Sequence, residues 1–534
     1  MEKELKEICR EIECEIKRIR ADEVSGRLAL QMREFAQIYR KLPEIQKREA
    51  LWNAAGRIDK EKYLSAIYMY SVLTFYIHER KWMVELLEII LNSPGLRADT
   101  LYFLYWQIAA RFVNDPECES ETGKALHWKL FQRICNMYAK NVRGLEWIKQ
   151  EDRNREFVVV IMTQYAGVGL HGPSKTALDR CRVLIEVMRK RVLLINTAEA
   201  GSMRGCIPFI GMFVPEYMEE LCNEEYLEWK TVKVPFFQCE NNMPDINVLQ
   251  LLSEKITGLK PQFILEIGTG SILANLLSRS FPVLSVVTGF SRLSVTETQY
   301  QVSAAAITDK ERWILSQVGK EQNHVIPSVF TFGLAKQQMF LNRNQLGLPD
   351  NKFLIAVVGT RLDREIDDAF MKMLCQVDNA GIGCVFIGEF ENFNSYIQKY
   401  SELDKCMYYL GSCNDVLAVL EVCDLFVNPI RLGGGTSAAE AMSKGLPVVS
   451  TAYGDVGVTV GESFWVEDYC EMAKFINRYQ QDKSFYRIQS ELAKKRSELL
   501  LDTDREFVNV IREFGKRMGE HYAATALHRK ERES

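Results

Sequence analysis

The sequence predicts an α/β protein built on two doubly wound parallel sheets and preceded by an all-helical region. Three observations predict it. From residue 155 onward, short apolar runs rich in Val, Ile and Leu alternate with helical segments, the pattern of strands buried on both faces. The first 150 residues instead repeat apolar positions at three and four, as in WMVELLEIIL (82–91) and LYFLYWQIAARFV (101–113). Finally, residues 424–450, DLFVNPIRLGGGTSAAEAMSKGLPVVS, hold a strand, a triple-glycine turn, a helix and a second strand in one unit.

The helical region, 1–150, breaks at Pro43, at Ser93-Pro94-Gly95 and at Asn114-Asp115-Pro116. It shows no fixed-period repeat. Its aromatic residues (Tyr63, Tyr68, Tyr70, Phe75, Tyr76, Tyr102, Phe103, Tyr105, Trp106) read as helix-packing core, with an acceptor or partner platform as the other reading.

The first sheet domain, 155–332, is expected to place strands at 156–162, 191–196, 232–237, 263–267, 284–288 and 324–330, with a helix at 174–189. The loop QYAGVGLHGP (164–173) follows the first strand and carries Gly167, Gly169, His171 and Gly172. Ligands bind at the carboxyl ends of strands in such sheets, so this loop should face the cleft. His171 could serve a sugar hydroxyl or act as a base near pH 7; the alternative is a loop histidine bonded to backbone. Lys175 would either neutralise phosphate or stay solvated. EIGTGSI (266–272) is expected to be a tight strand–helix turn lining the cleft with Gly268 and Gly270. The same residues resemble the first motif of S-adenosylmethionine methyltransferases. Against that resemblance, Ile272 stands at the third glycine, and the next strand ends in Thr288-Gly289 without an acidic residue.

A polar linker, 333–352, leads to the second sheet domain, 353–482. Strands are expected at 352–358, 384–387, 407–410, 424–427 and 446–450, and a helix at 414–422. Gly388 and Gly411 end two of those strands. The first crossover reads Gly359-Thr360-Arg361-Leu362-Asp363-Arg364-Glu365. A guanidinium at Arg361 can clamp a phosphate through parallel hydrogen bonds. Arg364 either joins it or pairs with Asp367 or Asp368 on its own helix. A long amphipathic stretch, 484–520, is expected to brace the first domain through Leu500, Phe507, Val510 and Phe514, and 521–534 should fray.

In the triple-glycine unit, Gly433, Gly434 and Gly435 let backbone N–H groups approach an anion closely. The first-turn amides of the following helix carry partial positive charge, and the Thr436 and Ser437 hydroxyls add donors. Glu440, one turn in, is placed to accept from ribose hydroxyls. The structural alternative is a capping box, Ser437-x-x-Glu440, with the acid turned back on its own helix.

NPIRLGGGTSAAEAMSKGLPVVS resembles the donor-binding signature of GT-B glycosyltransferases, in particular family 4-like (group 1) enzymes. Glu440-Ala441-Met442, Gly445 and Pro447-Val448-Val449 carry the match. The resemblance implies a GT-B fold, two Rossmann-like domains facing across a cleft, and a hexosyltransferase activity. It implies a donor set of Gly359, Arg361, Arg364, Asn428, Gly433, Gly434, Gly435, Thr436, Ser437 and Glu440, with His171, Arg361 and Glu440 as catalytic candidates. Glu440 matches the second Glu of the family's E-x7-E pair, which holds the ribose. Leu432 stands where the first Glu would be, and Ile366 where a phosphate-binding Lys would be. Those departures keep a second reading open, a non-catalytic GT-B subunit of a glycosyltransferase complex; methyl transfer is the remote one. The implied partners are a nucleotide sugar and a saccharide, lipid-linked or protein acceptor. No metal or other cofactor is expected, and retention at the anomeric carbon is.

Composition fits such an enzyme. The 534 residues suit about two to four domains, and 47% hydrophobic content supplies their cores. A net charge of −4, with acids and bases interspersed, gives no footprint for nucleic acid. The 14 cysteines form no C-x-x-C pair and read as free thiols in a reducing cytosol. The opening MEKELKEICREIECEIKRIR is charged rather than a leader. The apolar run at 63–77 is shorter than the roughly 20 residues of a bilayer span. The expectation is a cytoplasmic protein, with peripheral membrane or subunit contact through the helical region.

Overall fold

A computed structural model describes residues 79–519 except 116–117, 168–171, 200–217, 241–242, 289–292 and 379, together with 63–77 and scattered positions between 3 and 60. Helices come first: α1 Tyr63–Ile77, α2 Arg80–Asn92, α3 Ala98–Asn114 and α4 Glu121–Ala139. The break between α2 and α3 falls at Ser93-Pro94-Gly95 and α3 ends at Asn114, as the sequence marks, whereas α1 and α2 part with no Pro or Gly between them; Ser120 caps α4 through the Gly123 N–H.

The first sheet takes β1 Asn154–Met162, then α5 Gly172–Arg182, β2 Arg191–Asn196, β3 Tyr226–Trp229 and β4 Val232–Gln238. It continues through α6 Ile246–Leu259, β5 Pro261–Ile267, α7 Ile272–Leu277, β6 Val283–Val286, β7 Tyr300–Ser303, α8 Asp309–Gln317 and β8 Val325–Pro327. The strand order is β3-β4-β2-β1-β5-β6-β7-β8. All neighbours are parallel except the β3–β4 pair, which is antiparallel. That hairpin corrects the expectation of a purely parallel sheet. β3 (YLEW) and β7 (YQVS) escape the sequence reading because each is short and broken by a charged or polar residue, without the apolar run that marks the longer strands.

Side chains of this sheet alternate between two cores. Val159, Ile161 and Ile264 pack into the cluster that also holds Leu86, Leu87, Tyr102, Leu104 and Phe131 of the N-terminal helices. The helical region therefore covers one face of the sheet and shares its core. Val158, Val160, Phe263 and Leu265 face the other way, onto α5 and the helix Thr503–Arg517.

The second sheet comprises β9 Phe353–Gly359, α9 Leu362–Glu365, α10 Asp368–Leu374, β10 Ile382–Gly388, α11 Phe393–Lys399, β11 Met407–Gly411, α12 Val416–Leu420, β12 Leu425–Val427, α13 Gly435–Ser443 and β13 Val448–Val449. Then come α14 Gly454–Val460, α15 Tyr469–Gln481, α16 Lys483–Leu501 and α17 Thr503–Arg517. The order is β11-β10-β9-β12-β13, all parallel. Chain direction across the sheet reverses between β9 and β12, the crevice where such sheets bind ligands.

The expected bracing stretch consists of two helices, parted at Asp502, which caps α17 through the Arg505 N–H. Leu500 of α16 packs in the second lobe. Phe507, Val510 and Phe514 of α17 pack in the first. Beside this crossing runs the other one: the Phe332 N–H donates to the Leu500 carbonyl at 2.8 Å. Buried Arg180 of α5 donates to the Thr331 carbonyl at 3.1 Å and lies over the Phe330 and Phe507 rings. Arg182 reaches Asp504 at 2.6 Å.

Candidate active site

β9 and β12 end side by side, and the groups that follow them converge. After β9, Arg361 opens the short helix α9 and donates to Glu365 Oε1 at 3.0 Å. Its side chain is 52% exposed. Glu365 also accepts from Arg431 at 2.5 Å. Arg431 is buried and braces the turn from below, bonding Asn428 Oδ1 at 2.8 Å and the Val358 carbonyl at 2.5 Å. Asn428 is itself buried, with its amide committed to Arg431 and to the Pro429 carbonyl. It holds the glycine turn in shape and does not open toward a ligand, which corrects its place in the donor set.

The glycines are needed here. Gly434 has φ 110°, a conformation that excludes most side chains. A Cβ on it would lie 2.9 Å from Arg431 Nη2 and 3.1 Å from Asn428 Oδ1. A Cβ on Gly433 would lie 3.1 Å from Arg361 Nη2, so the exposed guanidinium and the glycine turn stand in direct proximity. Gly359 lies against Arg431 and Leu362, where any side chain would collide.

α13 starts at Gly435, with Gly434 as its N-cap and no side-chain cap. The amides of Gly435, Thr436 and Ser437 make no hydrogen bond among the described residues; the first intrahelical bond is Ala438 N–H to the Gly434 carbonyl at 3.0 Å. Ser437 therefore sits inside the first turn, not at the cap, and the capping-box reading of Ser437 and Glu440 does not apply. The Glu440 carboxylate makes no hydrogen bond among the described residues. Burial pushes it up to about 7, against the pull of Lys175 and with the push of Asp415. Lys175 belongs to α5 of the first lobe, so its charge acts across the cleft.

Arg364 is exposed and makes no ion pair among the described residues. Its rival partners are committed elsewhere: Asp367 caps α10 through the Phe370 N–H at 2.7 Å, and Asp368 holds Lys399. Ile366 is 3% exposed and packs in the core of the second lobe, so its position offers no phosphate ligand.

Of the first-lobe candidates, Gly169 and His171 lie outside the described residues. Gly167 has φ 73° and stands near Met218; Gly172 begins α5. The EIGTGSI turn is differently built from the expectation. Gly270 is buried, and a Cβ on it would meet the Tyr105 hydroxyl at 2.7 Å. The N-terminal helices thus cover Gly270, which lines no open cleft; Gly268 is half-buried against Thr288. The α7 amides are already occupied: Glu199 accepts from Ile272 N–H at 2.7 Å and Leu273 N–H at 3.3 Å. The amides that open α7 are thus taken by the protein's own carboxylate rather than left for a cofactor of the methyltransferase type.

Asp455, which sequence reasoning missed, lies in the same crevice. Its N–H donates to the Leu432 carbonyl at 2.7 Å. Glu365 and Arg431 were also missed; the one available signal was the i,i+4 spacing of Arg361 and Glu365.

Residues 354–482 match the family described as Glycosyl transferases group 1. The second lobe is similar to the domain of that family. Among solved structures, a mutant O-GlcNAc transferase of Thermobaculum terrenum is similar over 96% of this chain and 99% of its own, with TM-score 0.52 and 10% identity. The fold of the chain is GT-B. A glycosyltransferase of Rickettsia africae aligns over 68% of this chain and 99% of its own (TM-score 0.49, 11% identity). HepE of Anabaena, in complex with UDP and glucose, aligns over 66% and 99% (TM-score 0.47, 14% identity). No curated protein is similar in sequence. Among the described residues, no helix of this GT-B chain is long and apolar enough to cross a membrane.

Proposed function

We propose that the chain is an active glycosyltransferase that moves a sugar from a nucleoside diphosphate sugar to a saccharide, lipid-linked or protein acceptor. One observation carries the reading: an exposed guanidinium, Arg361, stands over a glycine turn whose helix begins with three unpartnered amides. These groups suit a diphosphate in charge and in geometry. Glu440, unpartnered one turn further along α13, suits ribose hydroxyls. Its raised pKa favours a group that is desolvated until hydroxyls reach it.

As the bond to the anomeric carbon breaks, charge grows on the β-phosphate. Arg361, with Arg364 beside it, and the α13 amides stabilise that charge in place, without reorganising. Protein cations do the neutralising, so transfer is proposed to proceed without a metal; retention of anomeric configuration is proposed from the family 4-like resemblance alone. The acceptor enters from the first lobe, where Lys175 already faces Glu440 and where the loop bearing His171 follows β1. Lobe closure excludes water.

The test is calorimetry of the full chain against UDP, GDP and ADP, their sugar conjugates and S-adenosylmethionine. One nucleoside diphosphate series is expected to bind, and Arg361→Ala and Glu440→Ala to weaken it. Turnover should survive EDTA, and NMR of the product should show the donor's anomeric configuration. Absence of binding by every nucleotide would sink the reading. Leu432 and the buried Ile366 favour a second one, a nucleotide-binding but non-catalytic GT-B subunit; nucleotide binding without turnover on any acceptor class would select it.

A further inference from the structure

The crevice holds a second unpartnered carboxylate. Asp455 opens α14, the helix after β13. Gly454, at φ 75°, packs its backbone against the Arg431 and Leu432 carbonyls. That packing, with the Asp455 N–H bonded to the Leu432 carbonyl, fixes where the acid stands. Its Cβ lies 3.2 Å from the point where a Gly435 side chain would begin, beside the first residue of α13. Among the described residues no hydrogen bond or ion pair engages its carboxyl.

The surroundings of the two acids differ. Glu440 feels Lys175 and Asp415, whereas Asp455 feels Arg361 and Arg431. Asp455 stands beside Gly435, at the start of α13, and Glu440 lies more than a turn further along the same helix. A nucleoside diphosphate sugar is linear: ribose, diphosphate, sugar. With the ribose at Glu440 and the diphosphate at Gly435, Thr436, Ser437 and Arg361, the sugar emerges on the side of Asp455. An acid beside a diphosphate repels it, so the site gains from this residue only if something there donates to it. Sugar hydroxyls donate.

Resting on the donor reading above, we propose that Asp455 is the residue that reads the donor sugar, accepting hydrogen bonds from ring hydroxyls of a polyhydroxylated hexose. A site built around such an acceptor rejects donors that lack the matching hydroxyl, because the acid would be left buried and unpaired. Burial already holds the Asp455 carboxyl up at about 7, against the pull of Arg361 and Arg431. It is the condition of a group that lacks its partner.

The test titrates UDP, GDP and ADP, and then UDP-glucose, GDP-mannose and ADP-glucose, into the full chain and into Asp455→Asn and Asp455→Ala. The variants are expected to bind the nucleoside diphosphate at least as tightly as the wild type. Their affinity for the sugar conjugate, relative to that for the diphosphate, should fall about tenfold, the worth of a hydrogen bond to a charged group. Retained diphosphate binding shows that the variants fold. An unchanged ratio, or equal strengthening of both ligands, overturns the proposal and makes Asp455 a brake on the diphosphate alone. If the wild type binds no nucleotide, the donor reading falls and takes this proposal with it.

Discussion

Two strand–glycine–helix turns of the molecule are finished in opposite ways. After β5 and after β12 the chain passes through glycine at positive φ, Gly268 and Gly270 in one case and Gly434 in the other, and enters a helix. At α7 the first amides are all consumed: Ser271 by Glu266, Ile272 and Leu273 by Glu199, Ala274 by the Ser271 hydroxyl. The Tyr102 hydroxyl closes the arrangement, 2.9 Å from the Gly270 carbonyl and 3.1 Å from Glu199. At α13 the corresponding amides have no partner among the described residues, and a guanidinium stands alongside. A strand–glycine–helix turn is an anion site only where the protein withholds its own carboxylate.

The sharpest way to break the comparison is to remove the internal anion. Glu199→Ala orphans two buried amides, while the Tyr102 hydroxyl keeps the Gly270 carbonyl, and a loss of about 2 kcal/mol or more is expected in urea unfolding, since each orphan costs roughly 1–3 kcal/mol. Nucleotide affinity of the folded variant should not change, because α7 is not the ligand's helix. Gly434→Ala acts at the other turn. Backbone strain and the collision with Arg431 are expected to cost about 1–3 kcal/mol and to weaken nucleotide binding at least tenfold, read by denaturation and calorimetry together. Arg361→Ala should separate the two effects. Its side chain is half exposed, so the melting temperature should hardly move, while nucleoside diphosphate affinity falls about ten- to hundredfold with the lost charge-assisted bonds.

The smallest effect is the pH dependence of the closed turn. Burial raises both Glu199 and Glu266 to about 7, well above their unfolded range. A raised carboxyl contributes its stability below the unfolded pKa and loses it as pH climbs through the folded one. The melting temperature should therefore decline between about pH 4.5 and 7, and Glu266→Gln should flatten that decline, as a thermal scan across buffers would show.

Most of the frame was legible in the residues. Long apolar runs such as EFVVVIM and FLIAVVG declare buried parallel strands because both faces must be apolar. The glycine triplet declared the donor turn because no other residue fits it. What escaped was set by distant contacts. Nothing in EIGTGSI says that Glu199, far along the chain, will fill its amides, or that Tyr102 and Tyr105 will lie on it. Asp455 was equally silent, for its meaning comes from Leu432 and Gly435, which only the folded sheet brings near. Asn428 looked like a ligand residue until Arg431, three positions on, was seen to claim it.

The paired crossings between the lobes carry a mechanical consequence. One passage runs through Thr331 and Phe332, the other through Leu500 to Thr503, and a backbone hydrogen bond ties them together. Two pins mounted on the same edge of a door leave it one way to swing. Arg361 and Lys175, carried on opposite panels, then approach along a single arc, so a change in hinge length at Asp502 should detune their meeting without touching either residue.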